Sequence, residues 1–242
     1  MKLVADLHVH TVSSGHAYST LAEYVARAKK IGLQALAITD HGPAMPGAPH
    51  YYHFANMRMI PRVIDGVRIL RGIEANVIND RGELDIKPVD IKWGELDIVL
   101  VAMHPRCGYQ NQGAAKNTAV MIRALRHPGI NIIAHLDNPQ FPVNIKQVVA
   151  AAKARKIAIE LNNSSPLSRP GSEAMARELV RAVKAADWQL VLGTDSHIAS
   201  MLGDFTSAKK LLKQVGLKEK NVVNTSWAKI EKYLLSKKVS TR

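Results

Sequence analysis

The chain's first apolar run, Val4-Ala5-Asp6-Leu7-His8-Val9-His10-Thr11, ends in two histidines one residue apart. Side chains on a strand alternate between faces. Asp6, His8 and His10 are therefore expected to point one way, with Leu7 and Val9 pointing the other. Two imidazoles at i and i+2 can converge on one metal ion. The arrangement recurs down the chain. The run at 35–39 ends in Asp40-His41, that at 68–73 leads into Glu74, and that at 98–103 ends in His104. The run at 131–134 ends in His135, and that at 190–194 ends in Asp195-Ser196-His197. His16 lies just beyond the first run. The sixth run, Ile157-Ala158-Ile159-Glu160-Leu161, passes into Asn162-Asn163-Ser164-Ser165, which offers no obvious ligand. A lone buried histidine is usually just hydrogen-bonded. Six of seven runs delivering His or a carboxylate at the same end argue for a metal centre.

Seven histidines (8, 10, 16, 41, 104, 135, 197) with Glu74 and Asp195 exceed the needs of one ion. Zinc typically takes four ligands, and manganese or iron five or six. Two or three ions sharing bridging carboxylates use the set better. Its imidazole content favours zinc, manganese or iron over magnesium and calcium. The single cysteine, Cys107, lies near His104 in sequence and reads as a passive thiol rather than a ligand. With one thiol there is no internal disulfide, so nothing points to an oxidising compartment.

Positioning these groups requires seven strand-like runs near 3–9, 35–39, 68–77, 98–103, 131–134, 157–161 and 190–193, mostly separated by helical patterns. Leu21, Tyr24, Val25, Ala28 and Ile31 recur at helical spacing, with a Thr20/Glu23 capping box before them and Gly32 after. Further helices are expected near 116–126, 143–155, 172–186, 205–215 and 226–236. Such alternation predicts parallel βα units. Asn79-Asp80-Arg81-Gly82 predicts a local hairpin, and the proline-bearing loop 42–61 is expected to wrap the mouth of the site. Seven units predict an α/β fold, a distorted (βα)7 TIM-like barrel with its chemistry at the C-terminal ends of the strands. No linker or repeat divides residues 1–242, so one domain is expected.

Of the 242 residues, 47% are hydrophobic and only 5% aromatic, which suits strands buried under helices. No apolar stretch approaches a membrane span and no leader is evident, which makes a cytoplasmic location the default. The formal net charge is +13, of which +8 falls between Phe205 and Arg242. That segment reads as a solvated basic helical face, since no aromatic residues interleave its charges as in a nucleic-acid groove.

Four stretches resemble the motifs of the PHP (polymerase and histidinol phosphatase) superfamily: Asp6-Leu7-His8-Val9-His10-Thr11, Ile38-Thr39-Asp40-His41-Gly42, Gly72-Ile73-Glu74-Ala75-Asn76 and Thr194-Asp195-Ser196-His197. The chain is most similar to the bacterial YcdX-type phosphatase branch, through Ser19-Thr20-Leu21, His53-Phe54-Ala55-Asn56-Met57-Arg58 and Leu161-Asn162-Asn163-Ser164-Ser165. The resemblance implies three divalent ions per chain, usually zinc, with manganese or iron as alternatives. By it, His8, His10, Glu74 and Asp195 hold one ion. His16, His41 and His197 hold a second, and Glu74, bridging, holds the third with His104 and His135. It also implies a homo-oligomer, with a trimer as one form. Leu136-Asp137 and Pro105-Arg106-Cys107 depart from the branch beside two ligands and bear on substrate shape.

The expected activity is hydrolysis of phosphate monoesters, small phosphorylated substrates, by hydroxide generated at a trinuclear metal site. Glu74 and Asp195 are the expected catalytic carboxylates, and Arg169 the expected phosphate clamp. Arg58 and Arg62 are weaker candidates for the same mouth, and His50 and His53 for substrate contacts. Asp40 and Asp6 are candidates to orient ligand imidazoles, with a simple strand-end hydrogen bond as the alternative for each. A PHP-type nuclease acting on DNA ends is the main alternative activity. A non-enzymatic metal-binding protein is less favoured. An amidohydrolase also begins with His-x-His, but would need a bridging lysine at a strand end, which is absent.

Overall fold

The computed structural model describes residues 1–87 and 96–238; the last four residues of the basic C-terminal segment lie outside the described residues. Along the chain lie β1 (Ala5–Val9), α1 (Leu21–Ile31), β2 (Ala35–Ile38), α2 (Tyr51–Asn56), β3 (Val63–Ile64), β4 (Val67–Asn76) and β5 (Ile98–Ala102). There follow α3 (Ala114–Ala124), β6 (Ile132–Ile133), α4 (Ile145–Ala154), β7 (Ala158–Asn162), α5 (Ser165–Ser168), α6 (Ser172–Ala185), β8 (Leu190–Gly193), α7 (Thr206–Val215) and α8 (Trp227–Lys238). The strand order is β1-β2-β4-β5-β6-β7-β8, with every neighbouring pair parallel. This is the expected distorted (βα)7 barrel. The hairpin at 79–82 is present, with Val77 bridged to Leu84.

β3 was not expected. It pairs antiparallel with β4 through Asp65-Gly66, both at positive φ (49° and 81°). Asp-Gly flanked by apolar residues is the usual mark of such a turn, so the signal was in the sequence.

One feature distorts the barrel near the site. β1 carries a one-residue bulge between Asp6 and Val9. The period-two expectation therefore fails inside β1. Leu7 packs inside the barrel with Ala5, Ala37, Leu100 and Val191, while Val9 joins the core beneath the helices. A bulge adds a residue and shifts which side chains share a face. Asp6 consequently turns from the site to the seam, where it accepts hydrogen bonds from Thr194 N (3.1 Å), Thr194 Oγ1 (2.5 Å) and Gly203 N (3.2 Å). The strand-end alternative for Asp6 is the one realised.

The seam itself, between β1 and β8, is stitched by side chains as well as backbone. A bridge joins Val9 to Ser196. Buried Asn224 donates to Ala5 O and Leu192 O and accepts from Leu192 N (2.9, 2.8 and 3.2 Å). Its amide thus pairs backbone groups that an open seam would leave unsatisfied.

α8 closes the N-terminal end of the barrel, packing Ile230, Tyr233 and Leu234 against the inner apolar residues. The Tyr233 hydroxyl accepts from Ala158 N (2.8 Å) and donates to Asn131 O. Tyr233→Phe would remove the hydroxyl's bonds to Ala158 N and Asn131 O while leaving Ala158 N–H its second acceptor, Asn131 O at 3.0 Å, so a loss of about 0.5–1.5 kcal/mol is expected in urea unfolding. Arg62 pairs with Asp97, just ahead of β5, and so lies at this end and not at the mouth. The expected role for Arg62 in substrate contact is thereby corrected: the β3–β4 hairpin carries it away. No helix among the described residues is long and apolar enough to cross a membrane.

Candidate metal centre

Each candidate ligand reaches the same end of the barrel because it lies at or just past the C-terminal end of a parallel strand. Glu74, in β4, is fully buried at the middle of the cluster. Its Oε1 lies 2.7 Å from His135 Nε2 and 3.5 Å from His104 Nε2. Its Oε2 lies 2.8 Å from His41 Nδ1 and 3.4 Å from the Nε2 of both His8 and His10. Asp195 Oδ1 lies 3.2 Å from His10 Nε2 and 3.6 Å from His8 Nε2. The rings of His41 and His197 stack on His10 at 4.2 and 4.5 Å, and His16 covers that pair from the solvent side at 5.0 and 5.1 Å. All nine predicted ligands are therefore brought together.

Two tests favour ions over a purely hydrogen-bonded cluster. Glu74 Oε2 and Asp195 Oδ1 are buried with no hydrogen bond. Ligands about 2.0–2.2 Å from a tetrahedral ion sit about 3.3–3.6 Å from one another, close to the 3.2–3.6 Å at which His8 and His10 Nε2 lie from these two oxygens, with His41 Nδ1 nearer at 2.8 Å. Three overlapping trios also have ligand atoms close enough to share an ion: His8/His10/Glu74, His41/Glu74/His104 and His10/His41/His197.

The outer nitrogens fix the tautomers. Nδ1–H of His104 donates to Asn76 Oδ1 (2.7 Å), and that of His197 to Asp195 O (2.9 Å). His10 Nδ1–H donates to Ser14 Oγ (3.2 Å), which donates onward to Asp40 Oδ1 (2.7 Å). His8 Nδ1–H donates to Glu160 Oε1 (2.8 Å). Each of these four rings thus presents Nε2 to the centre, as a ligating imidazole with a hydrogen-bonded second nitrogen does. Asp40 acts on His10 through Ser14, not by the direct contact expected. Ser14, Asn76 and Glu160 escaped the sequence reading. Glu160 had a signal, a charge inside an apolar run, since buried charges need partners.

Electrostatics follow from the packing. Burial opposes charge on Glu74, but the imidazoles of His8, His104, His41 and His135 outweigh it and hold the carboxyl well below its usual range. Burial opposes charge on Asp195 too, and His8 with the Arg169 guanidinium overrides it. Burial, with His41 and His197 nearby, drives His10 well below an ordinary imidazole. At His8 burial acts the same way, but Glu160, Glu74 and Asp195 together raise it well above. Two of the predicted ligands sit on left-handed backbone, His135 (φ 26°) and Asp195 (φ 53°). Such conformations cost of order 1–3 kcal/mol each and gather at functional sites.

Arg169 reaches the rim. Its Nη2 donates to Asp195 Oδ2 (2.8 Å) and its Nη1 to Ser168 Oγ (3.0 Å). Asp137, of the Leu136-Asp137 departure, is buried nearby and accepts from Ser165 Oγ (2.9 Å); burial pushes its carboxyl up to about 6, with Arg169 pulling the other way. The loop at 42–61 lies against the loop after β1, where a Cβ on Gly15 would fall 2.2 Å from Gly47 O. Within it His53 Nε2 lies 3.3 Å from Asp40 Oδ2, and His50 caps α2 by accepting from Tyr52 N (3.4 Å).

Cys107 is buried, its thiol 3.6 Å from Pro105 O, and burial with Asp85 and Glu74 nearby pushes it up to about 12. A thiol this reluctant to ionise is a poor nucleophile and ligand. Intact-mass measurement after iodoacetamide should therefore show no adduct on the folded protein and one adduct after denaturation.

The PHP domain model matches residues 6–233. A probable phosphatase of Acetivibrio thermocellus is 45% identical over the whole of this chain and 99% of its own length. A probable phosphatase of Shewanella sediminis is 45% identical over 93% of this chain and 91% of its own. Among solved structures, a histidinol phosphate phosphatase of Lactococcus lactis, complexed with zinc, L-histidinol and phosphate, superposes with TM-score 0.63. It is 20% identical and covers 88% of this chain and 94% of its own, which is a likeness of fold. A chain of an archaeal ribonuclease P bound to mature tRNA shares the fold at TM-score 0.60 with 12% identity, covering 96% of this chain and 91% of its own. With barrel, ligand geometry and a family match across nearly its full length in agreement, this chain belongs to the PHP domain family.

Proposed function

We propose that this protein is a metal-dependent phosphatase that hydrolyses small phosphate monoesters at a trinuclear centre, most readily loaded with zinc. The observation that carries the reading is Glu74, whose two oxygens face five imidazoles in two directions. A carboxylate so placed is suited to bridge ions. His8, His10 and Asp195 would complete one position, His104 and His135 another, and His16, His41 and His197 the third. Such ions, when bound, supply Lewis acidity toward phosphoryl oxygens and acidify water near neutral pH.

The chain's own residues do the rest. The hydrogen bonds that Glu160, Ser14, Asn76 and the Asp195 carbonyl accept from the imidazoles fix ring orientation before substrate arrives. Arg169 holds Asp195 with one Nη and keeps further N–H donors for phosphate oxygens, since a guanidinium carries five. Arg169→Ala should raise KM for a phosphomonoester and lower kcat/KM by about 10–100-fold, a range fitting the loss of a charge-assisted hydrogen bond of about 1.5–3 kcal/mol. A nuclease on the same centre is less well supported. Part of the basic surface lies at the opposite end, where Lys220 pairs with Asp187 just ahead of β8.

Metal content by mass spectrometry beside turnover of a generic phosphomonoester, before and after chelation, tests the reading. About three ions per chain, with activity lost on chelation and restored by zinc or manganese, is expected. Fewer than two tightly held ions with no ester turnover would overturn it.

A further inference from the structure

We infer that Glu160 is the positioning carboxylate of this centre, holding two ligand sets at once. It grips His8 by its side chain and His135 by its backbone. This inference rests on His8 and His135 being ligands, as proposed above.

Glu160 lies inside β7, in the one barrel strand where no ligand was found, and is 1% exposed. Three donors converge on it. His8 Nδ1–H reaches Oε1 at 2.8 Å, while His135 N–H and Asn162 Nδ2–H reach Oε2 at 2.8 and 3.1 Å. Asn162 in turn donates to Asp195 Oδ2 at 3.2 Å. One carboxylate therefore fixes the tautomer of His8, and it fixes the backbone of His135 at a positive φ of 26° that the chain would not otherwise favour. The neighbouring strand makes room for it. A Cβ on Gly193 would fall 1.9 Å from Glu160 Oε1 and 3.0 Å from His8 Cβ.

The chemistry requires a group that accepts at both ends. An ionised carboxylate accepts only, whereas an amide accepts at one end and donates at the other. A glutamine at 160 has two options, both poor. With its oxygen toward His135 N and Asn162, its NH2 faces His8 Nδ1. That selects the tautomer with the proton on Nε2, the nitrogen aimed at Glu74 and Asp195. With its oxygen toward His8, its NH2 confronts the N–H of His135. The first option disables His8 and the second releases His135. His16, His41 and His197 make no hydrogen bond to Glu160 and would keep their geometry.

The test compares wild type, Glu160→Gln and Gly193→Ala by zinc titration against a competing chelator. Long-range 1H–15N NMR on histidine-labelled, zinc-loaded protein reports the His8 tautomer. Expected is a weakening of about 10–100-fold for the ions on the His8 and His135 sets, with the His16 set spared. Wild-type His8 should carry its proton on Nδ1, with that signature lost in Glu160→Gln. Gly193→Ala keeps the carboxylate's chemistry but displaces it from His8 and His135, and should weaken the same two positions. Unchanged affinity in both variants overturns the inference, as does an equal weakening of all positions, which marks general loosening of the fold. Should neither variant fold, a wild-type His8 with its proton on Nε2 overturns it, and one on Nδ1 in a short hydrogen bond supports it. A wild type that holds no zinc defeats the parent reading instead, and is seen before any variant is compared.

Discussion

Glu74→Gln is expected to reduce phosphomonoester turnover by at least about a thousandfold and to lower bound metal, the largest effect of any single substitution here. The side chain is isosteric, so packing barely changes. What changes is that one oxygen becomes an NH2 group, which cannot ligate. If the NH2 lies at Oε1 it faces His135 and His104, and if at Oε2 it faces His41, His8 and His10. Either way a cationic position loses its shared anionic ligand. The remaining imidazoles are neutral donors that do not offset the two positive charges of a divalent ion. Metal analysis and turnover measured on one preparation check this. Retained metal content with turnover within tenfold of wild type would mean that Glu74 does not bridge.

The convergence of the nine candidate ligands was readable because parallel barrels impose a rule that sequence respects: side chains at the strand ends meet at one mouth. His104 and His135 are far apart in the chain, yet their Nε2 atoms lie 3.1 Å apart, and the strand-end position of each was enough to pair them. What could not be read was whatever depends on local departures from regular geometry. The bulge in β1 turned Asp6 to the seam and brought Leu7 inward, against simple alternation. The left-handed backbone at His135 and Asp195 has no composition signal, since neither is glycine.

The supporting shell was hard to see for a different reason. Ser14, Asn76 and Asn224 are common polar residues whose meaning comes only from what they face. Asn76 becomes informative once its amide is seen between His104 and Asp85, accepting from the imidazole at 2.7 Å and donating to the carboxylate at 2.5 Å. The C-terminal basic segment was read correctly as helical, but its apolar side gave no indication that it would seal the barrel floor. That follows from Ile230, Tyr233 and Leu234 finding the one apolar surface that seven strands leave open at that end.

Removing the ions should cost the fold stability and make it sensitive to acid. Binding to the native state alone stabilises by about 4 kcal/mol when free metal exceeds Kd a thousandfold, so a clear fall in Tm on chelation is expected. In the metal-free chain, His10, His16 and His104 lie below the ordinary imidazole value, burial being the first cause in each. Such groups take up protons on unfolding. Their stabilisation is complete above about pH 6.5 and is lost as pH falls below it. Glu74 and Asp195, held low, add stability that persists until pH falls through their own depressed values. His8 runs the other way. Burial opposes its charge, but Glu160, Glu74 and Asp195 outweigh it and raise the imidazole above its ordinary value, so it stabilises the metal-free fold until pH rises through that raised value. An ion must displace the proton held below that value. Zinc affinity should therefore rise with pH, by up to about tenfold per unit below that raised value, with up to about one proton released to buffer per His8 position filled. Calorimetry in two buffers of different ionisation enthalpy reads the proton directly. Affinity flat from pH 6.5 to 8, with no proton released, would mean that His8 is already neutral in the empty site and that Glu160 acts on it by hydrogen bonding alone.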